Sequence, residues 1–181
     1  DHLFTTLDKL PGSLSVLVNN AGILDKQTNL LGLSAERISH ILQLNVIGVF
    51  MCSQAAVQRM AKSSGGEGGS IVNVSSLAAK TGSPNEYVDY AASKGAVDTL
   101  TVGLAKELVQ DGIRVNAVRP GVIRTQMHAA GGEPDRVDRL AAVLPMRRGG
   151  EPLEVAEAIY WLASDKASFS TGGFIDVGGG I

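Results

Sequence analysis

The sequence predicts an α/β fold built on a parallel sheet. Short apolar runs rich in β-branched residues occur at residues 14–18, 71–74, 113–118 and 174–177, and each has the length and composition of a buried parallel strand. Longer segments with helical patterns separate these runs. Strands that alternate with helices form an open sheet with right-handed crossovers. The predicted fold class is therefore α/β, a doubly wound parallel sheet.

The first predicted elements are a helix end, a strand, a turn and one long helix. Residues 1–10 are predicted to end a helix before a Pro-Gly pair. The strand at 14–18 runs into Asn-Asn-Ala-Gly at residues 19–22, a turn of small and polar residues. Ser34 is predicted to be the N-cap of a helix over residues 35–62. This helix is apolar nearly all round, so we expect it to be covered on more than one side, in part by a second subunit.

The remaining elements follow in the same alternation. The glycine-rich residues 63–69 precede a strand, whereas a phosphate loop follows one and opens a helix, so we interpret them as a plain turn. The strand at 71–74 ends at two serines and leads to a helix that runs to about Gln110. After the strand at 113–118, residues 126–150 are predicted to be a polar, mobile loop. Pro152 suits the first turn of a helix that continues to about Ala163.

Composition excludes several classes of function. The 181 residues are 44% apolar and 19% charged, as in an ordinary globular protein, and residues 1–181 are predicted to form one domain. A net charge of −2 with scattered Lys and Arg argues against a nucleic-acid partner. The most apolar stretch, residues 41–57, is interrupted by polar residues, so we predict no membrane span and no signal peptide. The single cysteine, Cys52, fits a reducing, cytoplasmic location and a packing role.

The chemistry of the chain is expected to centre on Tyr90 and Lys94. They are four residues apart on a predicted helix and so share one face. A free tyrosine titrates near ~10, and a neighbouring ammonium lowers that pKa and makes the phenol a usable proton donor and acceptor. Its position in the first turn, near the positive end of the helix dipole, acts in the same direction. Tyr87 lacks such a partner, because Ala91 stands four residues after it.

Three predicted strand ends carry small or polar residues. They are residues 19–22, the pair Ser75 and Ser76, and the pair Pro120 and Gly121. In parallel sheets, ligands bind outside the carboxyl ends of the strands, so these turns are expected to surround one crevice with the phenol. Alternation along a strand points the two serines to opposite faces, so only one is expected to face the crevice.

In this combination the chain resembles the classical short-chain dehydrogenases/reductases. The matching motifs, in order, are Asn19-Asn20-Ala21-Gly22, Asn45, Ser76, Tyr90, Lys94, Pro120-Gly121 and Thr125. The resemblance covers the whole chain and is nearest to bacterial, sugar-dehydrogenase-like members. It implies a Rossmann-like fold and hydride transfer between a nicotinamide and an alcohol or ketone.

The resemblance also implies a role for each motif residue. Tyr90 would exchange a proton with the substrate oxygen, and Lys94 would lower its pKa and hold the nicotinamide ribose. Ser76, the second serine of its pair, would hydrogen-bond the substrate oxygen. Asn45 would hold a water of a proton relay, and a helix-packing amide is the alternative. The residues implied to contact the cofactor are Asn20, Ala21, Gly22, Tyr90, Lys94, Pro120, Gly121, Ile123 and Thr125.

The glycine-rich dinucleotide loop of the family does not precede residue 14. We therefore expect residues 1–181 to be the C-terminal two-thirds or so of a longer nucleotide-binding domain. The residue that selects the cofactor would lie in the preceding part, and between NADP and NAD we favour NADP. The three histidines, His2, His40 and His128, lack metal-ligand spacing, so no metal is predicted, and His128 could touch substrate.

Two classes of function remain open. The first is an NAD(P)-dependent oxidoreductase that acts on a small alcohol or carbonyl compound. The second is a non-catalytic nucleotide-binding or scaffold protein on the same fold. The resemblance and the apolar helices also imply a homo-tetramer.

Overall fold

Four parallel strands form the sheet in the computed structural model, which describes residues 2–181. The strands are β1 (Val16–Asn19), β2 (Gly69–Val74), β3 (Ile113–Pro120) and β4 (Phe174–Val177). They lie in sequence order, and every neighbouring pair is parallel. The predicted α/β fold with a parallel sheet is confirmed, and the strand at 174–177 has its predicted bounds.

Helices connect the strands throughout. The α-helices are α1 (His2–Leu7), α2 (Ala35–Leu42), α3 (Gly48–Met60), α4 (Ala78–Thr81), α5 (Val88–Leu108), α6 (Met127–Ala130), α7 (Arg136–Ala141) and α8 (Pro152–Ala163). Short 3₁₀ turns lie at Leu30–Gly32, Lys62–Ser64, Val109–Asp111 and Asp165–Ala167. The helix end predicted for residues 1–10 is α1, although residue 1 itself lies outside the described part of the chain.

The two faces of the sheet are covered by different helices. On one face, Met60 of α3 and Ala105 of α5 pack with Ile71 of β2 in one apolar cluster. On the other face, Leu162 of α8 packs against Val72. From β1 to β4, each strand is added on the same side of the one before it. The helix that leads to β4, α8, lies on the opposite face of the sheet from α3 and α5. The third crossover, through α8, therefore has the opposite hand from the first two, and the expectation of right-handed crossovers throughout is wrong.

The long helix predicted after Ser34 contains a change of helical type. The Ser34 hydroxyl accepts from the amide of Arg37 and caps α2, as predicted. Residues Gln43–Ile47 then form a π-helical segment before α3, which ends at Met60. A π-segment inserts an extra residue into the helical turn and is frequent at functional sites. Asn45 lies in this segment and is fully buried.

Much of the outer surface of this helix is apolar and exposed. Phe50 and Met51 of α3 are 50% and 55% exposed. By length and composition alone, Ala35–Met60 is the one helix within residues 2–181 that could cross a membrane. Only 28% of its apolar 18-residue stretch is buried. The expectation that α2 and α3 need a further covering surface is consistent with this exposure.

The segment from residue 126 to residue 150, predicted to be a mobile loop, contains two short helices. These are α6 and α7, of four and six residues. Helices of this length carry too few apolar repeats to give a periodic signal in the sequence. The segment folds over the carboxyl edge of the sheet, where the amide of Arg124 donates to the carbonyl oxygen of Gly150 at 2.9 Å.

Candidate active site

A cavity of about 590 Å³ lies at the carboxyl edge of the sheet. The three predicted turns meet around it, as the strand-end argument requires. Among its lining residues are ten of the eleven site residues predicted from the sequence: Asn20, Ala21, Gly22, Ser76, Tyr90, Lys94, Pro120, Gly121, Ile123 and Thr125. The eleventh, Asn45, lies behind the wall of the cavity.

Tyr90 lies in the first turn of α5 with its phenol against the hydroxyl of Ser76. The side chain is 8% exposed. Burial raises the pKa of Tyr90 above its ordinary value, and the hydrogen bond with Ser76 acts in the opposite direction. The sequence predicted a pKa lowered by Lys94. In the structure the Lys94 ammonium lies over the ring face, 5.6 Å from its centroid, and the loss of solvation outweighs any effect of that charge.

Lys94 is buried beside Tyr90 on the same face of α5. Its Nζ donates to the carbonyl oxygen of Val74 at 2.8 Å. Burial lowers the pKa of Lys94 from 10.5 to about 8, and the carboxylate of Asp98 acts in the opposite direction. Asp98 follows one turn later and is itself paired with Arg119 at 2.9 Å. The sequence analysis missed this acidic neighbour, although its i, i+4 spacing from Lys94 was visible.

The two serines at the end of β2 have different partners. The Ser76 oxygen accepts from the amide of Ala78 at 3.1 Å and also contacts the Tyr90 phenol. The Ser75 hydroxyl donates to the carbonyl oxygen of Lys94 at 3.2 Å and is 2% exposed. Ser76 is thus the serine placed at the phenol, and Ser75 fixes the helix that carries Lys94. The catalytic role of Ser76 stays a prediction.

Asn45 joins the first strand-end turn to α5. Its Nδ2 donates to the carbonyl oxygen of Ile23 at 2.8 Å and to the Ser93 hydroxyl at 3.0 Å. Its Oδ1 accepts from the amide of Ile23 at 2.8 Å. The side chain therefore fulfils the alternative of a packing amide, and the implied water relay stays a prediction. Ser93 was missed because nothing local marks it, and its hydroxyl donates onward to the Tyr90 carbonyl at 2.6 Å.

A buried ion pair positions the start of α5. Asp89 accepts from the guanidinium of Arg37 at 2.7 Å, and its side chain is 1% exposed. Its Oδ1 also accepts from the amide of Tyr90 at 2.9 Å. A carboxylate in the first helical turn satisfies an otherwise free N–H and complements the helix dipole. The pair joins α2 to α5 and fixes the turn that carries the phenol.

A chain of buried side chains lies under the strand ends. Asn19 of β1 donates to Asn73 of β2 at 2.8 Å, and Asn73 donates to Thr101 of α5 at 2.9 Å. Asn19 also donates to Ser53 of α3 at 3.1 Å. The sequence analysis assigned no role to Ser53, Asn73 or Thr101. Their pairing depends on strand register, which local patterns do not reveal.

The residues around the cavity fit the nicotinamide end of a dinucleotide. A Cβ on Gly22 would stand 3.2 Å from Lys94 Nζ, so a side chain at this position would press on the ammonium. At Gly121 a Cβ would meet Gly178 Cα at 2.9 Å, so this turn too requires close approach. The main chain of Ile123 and the exposed Thr125 lie on the opposite wall.

His128 forms a hydrogen bond with the main chain of that wall. Its Nε2 lies 2.8 Å from the carbonyl oxygen of Ile123. Because a carbonyl only accepts, Nε2 carries the proton. Burial lowers the pKa of His128, against the effect of this hydrogen bond. Within residues 2–181, no group of three or more His, Cys, Asp or Glu side chains could hold a metal ion.

A second cavity, of about 430 Å³, adjoins the first beyond the phenol. Ser76, Tyr90, Met127 and His128 line both cavities. The hydroxyl pair therefore stands at the boundary between a compartment that fits a nicotinamide and a compartment under the α6–α7 segment.

The fold and this site define a class of protein, an α/β protein of the Rossmann type among the NAD(P)-dependent oxidoreductases. The chain belongs to the short-chain dehydrogenase/reductase family. A family model described as enoyl-(acyl carrier protein) reductase matches residues 1–181. The predicted family is thereby confirmed.

Two relatives illustrate the similarity. The uncharacterized oxidoreductase YgfF of Escherichia coli is 60% identical over 178 residues, which are 98% of this chain and 72% of YgfF. A 3alpha-hydroxysteroid dehydrogenase of Mediterraneibacter gnavus is 46% identical, over 93% of this chain and 65% of that protein. The chain thus spans about two thirds to three quarters of the length of these relatives.

Solved structures agree with the fold. ElxO with NADP bound superimposes with a TM-score of 0.87 at 34% identity, covering 98% of this chain and 71% of that one. A short-chain dehydrogenase/reductase family protein gives a TM-score of 0.81 at 37% identity, with the same coverage. The predicted Rossmann-like fold is confirmed.

Proposed function

We propose that the protein containing this chain is an NAD(P)-dependent oxidoreductase that interconverts a small alcohol and the corresponding carbonyl compound. The observation that carries the proposal is that the Tyr90 phenol and the Ser76 hydroxyl each line both cavities, at the boundary between them. A carbonyl oxygen placed there from the second cavity can accept two hydrogen bonds at once.

Each side chain then has a defined task. Because burial raises the pKa of Tyr90, the phenol is protonated near neutral pH and can give a proton to the carbonyl oxygen during reduction. Ser76 donates a hydrogen bond to the same oxygen. The Lys94 ammonium lies beside the phenol and stabilises the phenolate that proton loss leaves behind. The bound dinucleotide supplies or accepts the hydride.

The cofactor is proposed to be NADP or NAD, with NADP favoured. Solved neighbours are named as ElxO with NADP bound and as an ElxO variant with NADPH bound, and these are 33–34% identical to this chain. The turn at residues 20–22, together with Lys94, Ile123 and Thr125, would hold the nicotinamide and its ribose. None of the residues assigned to this site distinguishes NADP from NAD.

A non-catalytic nucleotide-binding or scaffold protein is the competing proposal. Such a protein needs the turns of the first cavity but has no use for a buried phenol paired with a hydroxyl. The burial of Tyr90 and Lys94 at 8% and 3% exposure carries a solvation cost, which a proton-transfer role accounts for. Catalysis is therefore the favoured proposal.

Tyr90→Phe in the natural protein tests the function. We expect turnover of NADPH or NADH with a carbonyl panel to fall at least about 10²-fold, since general acid catalysis contributes that much or more. Cofactor binding, followed by nicotinamide fluorescence, should stay within about twofold, because the phenol acts on the substrate proton. Tyr160→Phe, at a tyrosine that is 68% exposed on α8, is the matched control. A Tyr90→Phe variant that keeps more than a few per cent of activity would contradict the role.

We further propose a cytoplasmic homo-tetramer without a membrane or nucleic-acid partner. Exposed apolar side chains on α3, such as Phe50 and Met51, support a subunit interface along that helix. The net charge of −2 gives no basic surface for nucleic acid. Light scattering of the natural protein at micromolar concentration is expected to give four times the subunit mass, and a stable monomer would exclude the assembly.

A further inference from the structure

The second cavity has the size of a small-molecule site and opens beside the reacting hydroxyls. Its volume, about 430 Å³, lies within the range of pockets that bury most of the surface of a drug-sized ligand. A ligand whose oxygen lies at Ser76 and Tyr90 has the rest of its body in this cavity. The walls of the cavity therefore select the substrate.

Most of the wall is hydrocarbon and comes from distant parts of the chain. Leu77 and Leu144, which are 4% and 7% exposed, are part of this lining. Further aliphatic lining is supplied by Leu24, Leu140, Val143 and Ile181. Such a wall gains free energy by removing apolar ligand surface from water and offers nothing to a ligand hydroxyl.

The charged groups in the wall are already paired. Arg136 donates to Glu86 at 2.6 Å and to Glu133 at 2.9 Å, and its side chain is only 12% exposed. Its guanidinium also lies over the Tyr87 ring, 5.3 Å from the centroid. Arg136 is the only arginine or lysine among the described lining residues. A phosphate or carboxylate in the cavity would thus find no free cation.

The polar neutral groups are few. One is the buried Tyr87 hydroxyl, which has no hydrogen-bond partner in the described part of the chain and can serve a single polar atom of a ligand. His128 is committed to the Ile123 carbonyl through Nε2. Thr81 and Ser83 add hydroxyls beside α4, and Thr81 is exposed. A polyol would leave several of its hydroxyls without the hydrogen bonds that water had provided.

We propose that the substrate is a neutral ketone or secondary alcohol whose body is mainly hydrocarbon, cyclic or long-chain, rather than a sugar, a phosphate ester or a carboxylate. This inference rests on the proposed function for the position of the reacting oxygen. It differs from the sugar-dehydrogenase-like placement predicted from the sequence, because that placement drew on motifs around the cofactor cavity and not on the walls of the second one.

The test compares carbonyl compounds of similar size in the natural protein. Decalone and cyclododecanone form the apolar half of the panel, and fructose and dihydroxyacetone phosphate form the polar half. We expect kcat/KM with NADPH or NADH to be at least about tenfold higher for the best apolar ketone than for either polar one. A polar compound as the best substrate would overturn the proposal.

A wall variant tests the cavity itself. Leu140→Gln places an amide in the wall, and Leu153→Gln makes the same change at a leucine of α8 that is 68% exposed and outside the cavity. We expect Leu140→Gln to raise KM for decalone by about tenfold with kcat nearly unchanged. Leu153→Gln should change neither constant. Equal effects of the two variants would overturn the assignment of this cavity.

Calorimetric titration separates this inference from the proposed function. If the natural protein oxidises no NADPH or NADH with any carbonyl compound, the proposed activity is wrong. Titration of the same protein with decalone still decides the cavity: saturable binding that Leu140→Gln weakens supports an apolar ligand. The inference of an apolar ligand is contradicted if fructose binds in preference to decalone, or if neither apolar ketone binds.

Discussion

The side-chain amide of Asn45 holds the main chain of Ile23 at two points. Nδ2 donates to the carbonyl oxygen and Oδ1 accepts from the amide, both at 2.8 Å. The same Nδ2 donates to Ser93 on α5. Asn45 lies in the π-helical segment. Its hydrogen bonds connect the turn at residues 20–22 to the helix that carries Tyr90 and Lys94.

Asn45→Ala should therefore destabilise the fold as well as the site. The change leaves the half-buried main chain of Ile23 without these partners, so we expect the free energy of unfolding to fall by about 2 kcal/mol. Urea denaturation of the natural protein measures this loss. Gln43→Ala, at an exposed position of the same π-segment, is the control and should change it by less than about 0.5 kcal/mol. An unchanged stability with lost activity would favour the water-relay role.

Ser76→Ala and Ser75→Ala should have opposite profiles. Removal of the Ser76 hydroxyl takes a hydrogen bond from the substrate oxygen, so kcat/KM should fall by about 10²-fold or more with little loss of stability. Removal of the Ser75 hydroxyl breaks its bond to the Lys94 carbonyl and should cost about 1 kcal/mol of stability with a smaller loss of activity. Steady-state kinetics and urea denaturation of both variants give the ranking, and the reverse ranking would reassign the hydroxyl.

Burial of Lys94 should make stability depend on pH. Its pKa is about 8 in the folded chain and near 10.5 when solvated, so between these values the unfolded chain binds more protons and stability rises with pH. The contribution is absent below about pH 8 and reaches about 3 kcal/mol above pH 10.5. Lys94→Met lacks it. The unfolding free energy of Lys94→Met relative to the natural protein should thus fall by that amount from pH 7 to pH 10.5.

Asp98→Asn serves as the control for this interpretation. The Asp98 carboxylate raises the pKa of Lys94, in opposition to burial. Its replacement by a neutral amide should lower the folded-state pKa of Lys94 further, so stability should begin to rise at a lower pH, while the upper limit set by the unfolded chain stays near 10.5. Urea denaturation of this variant across the same pH range measures the shift. A window that stays in place would show that the carboxylate is screened from Lys94 by Arg119.

Local signals in the sequence predicted much of this fold. The helix Pro152–Ala163 has its predicted bounds because proline at N1 and an apolar face both mark it. Ser34 is also the N-cap that the sequence predicted, because a cap depends only on the three residues that follow it. The Tyr90 and Lys94 pair was found because i, i+4 spacing determines proximity on a helix.

Features that depend on tertiary packing were missed. The raised pKa of Tyr90 results from burial by the whole site, which an i, i+4 argument does not include. The face covered by α8 depends on how far the preceding segment reaches across the sheet, so the hand of the third crossover has no local signal. The contact between Asn73 and Thr101 joins β2 to α5 through strand register alone.

The 181-residue chain by itself is expected to self-associate and to bind no dinucleotide measurably. In the described residues β1 pairs only with β2, and Val16 and Val18 are 38% and 39% exposed on it. An unpaired apolar edge recruits other chains, and Val18→Lys should raise the monomer fraction in light scattering because an edge lysine opposes such pairing. Leu153→Lys, which adds the same charge on α8, should not. Saturable micromolar binding of NADPH or NADH to a soluble monomer, followed by fluorescence, would show that the nicotinamide cavity is a sufficient binding site.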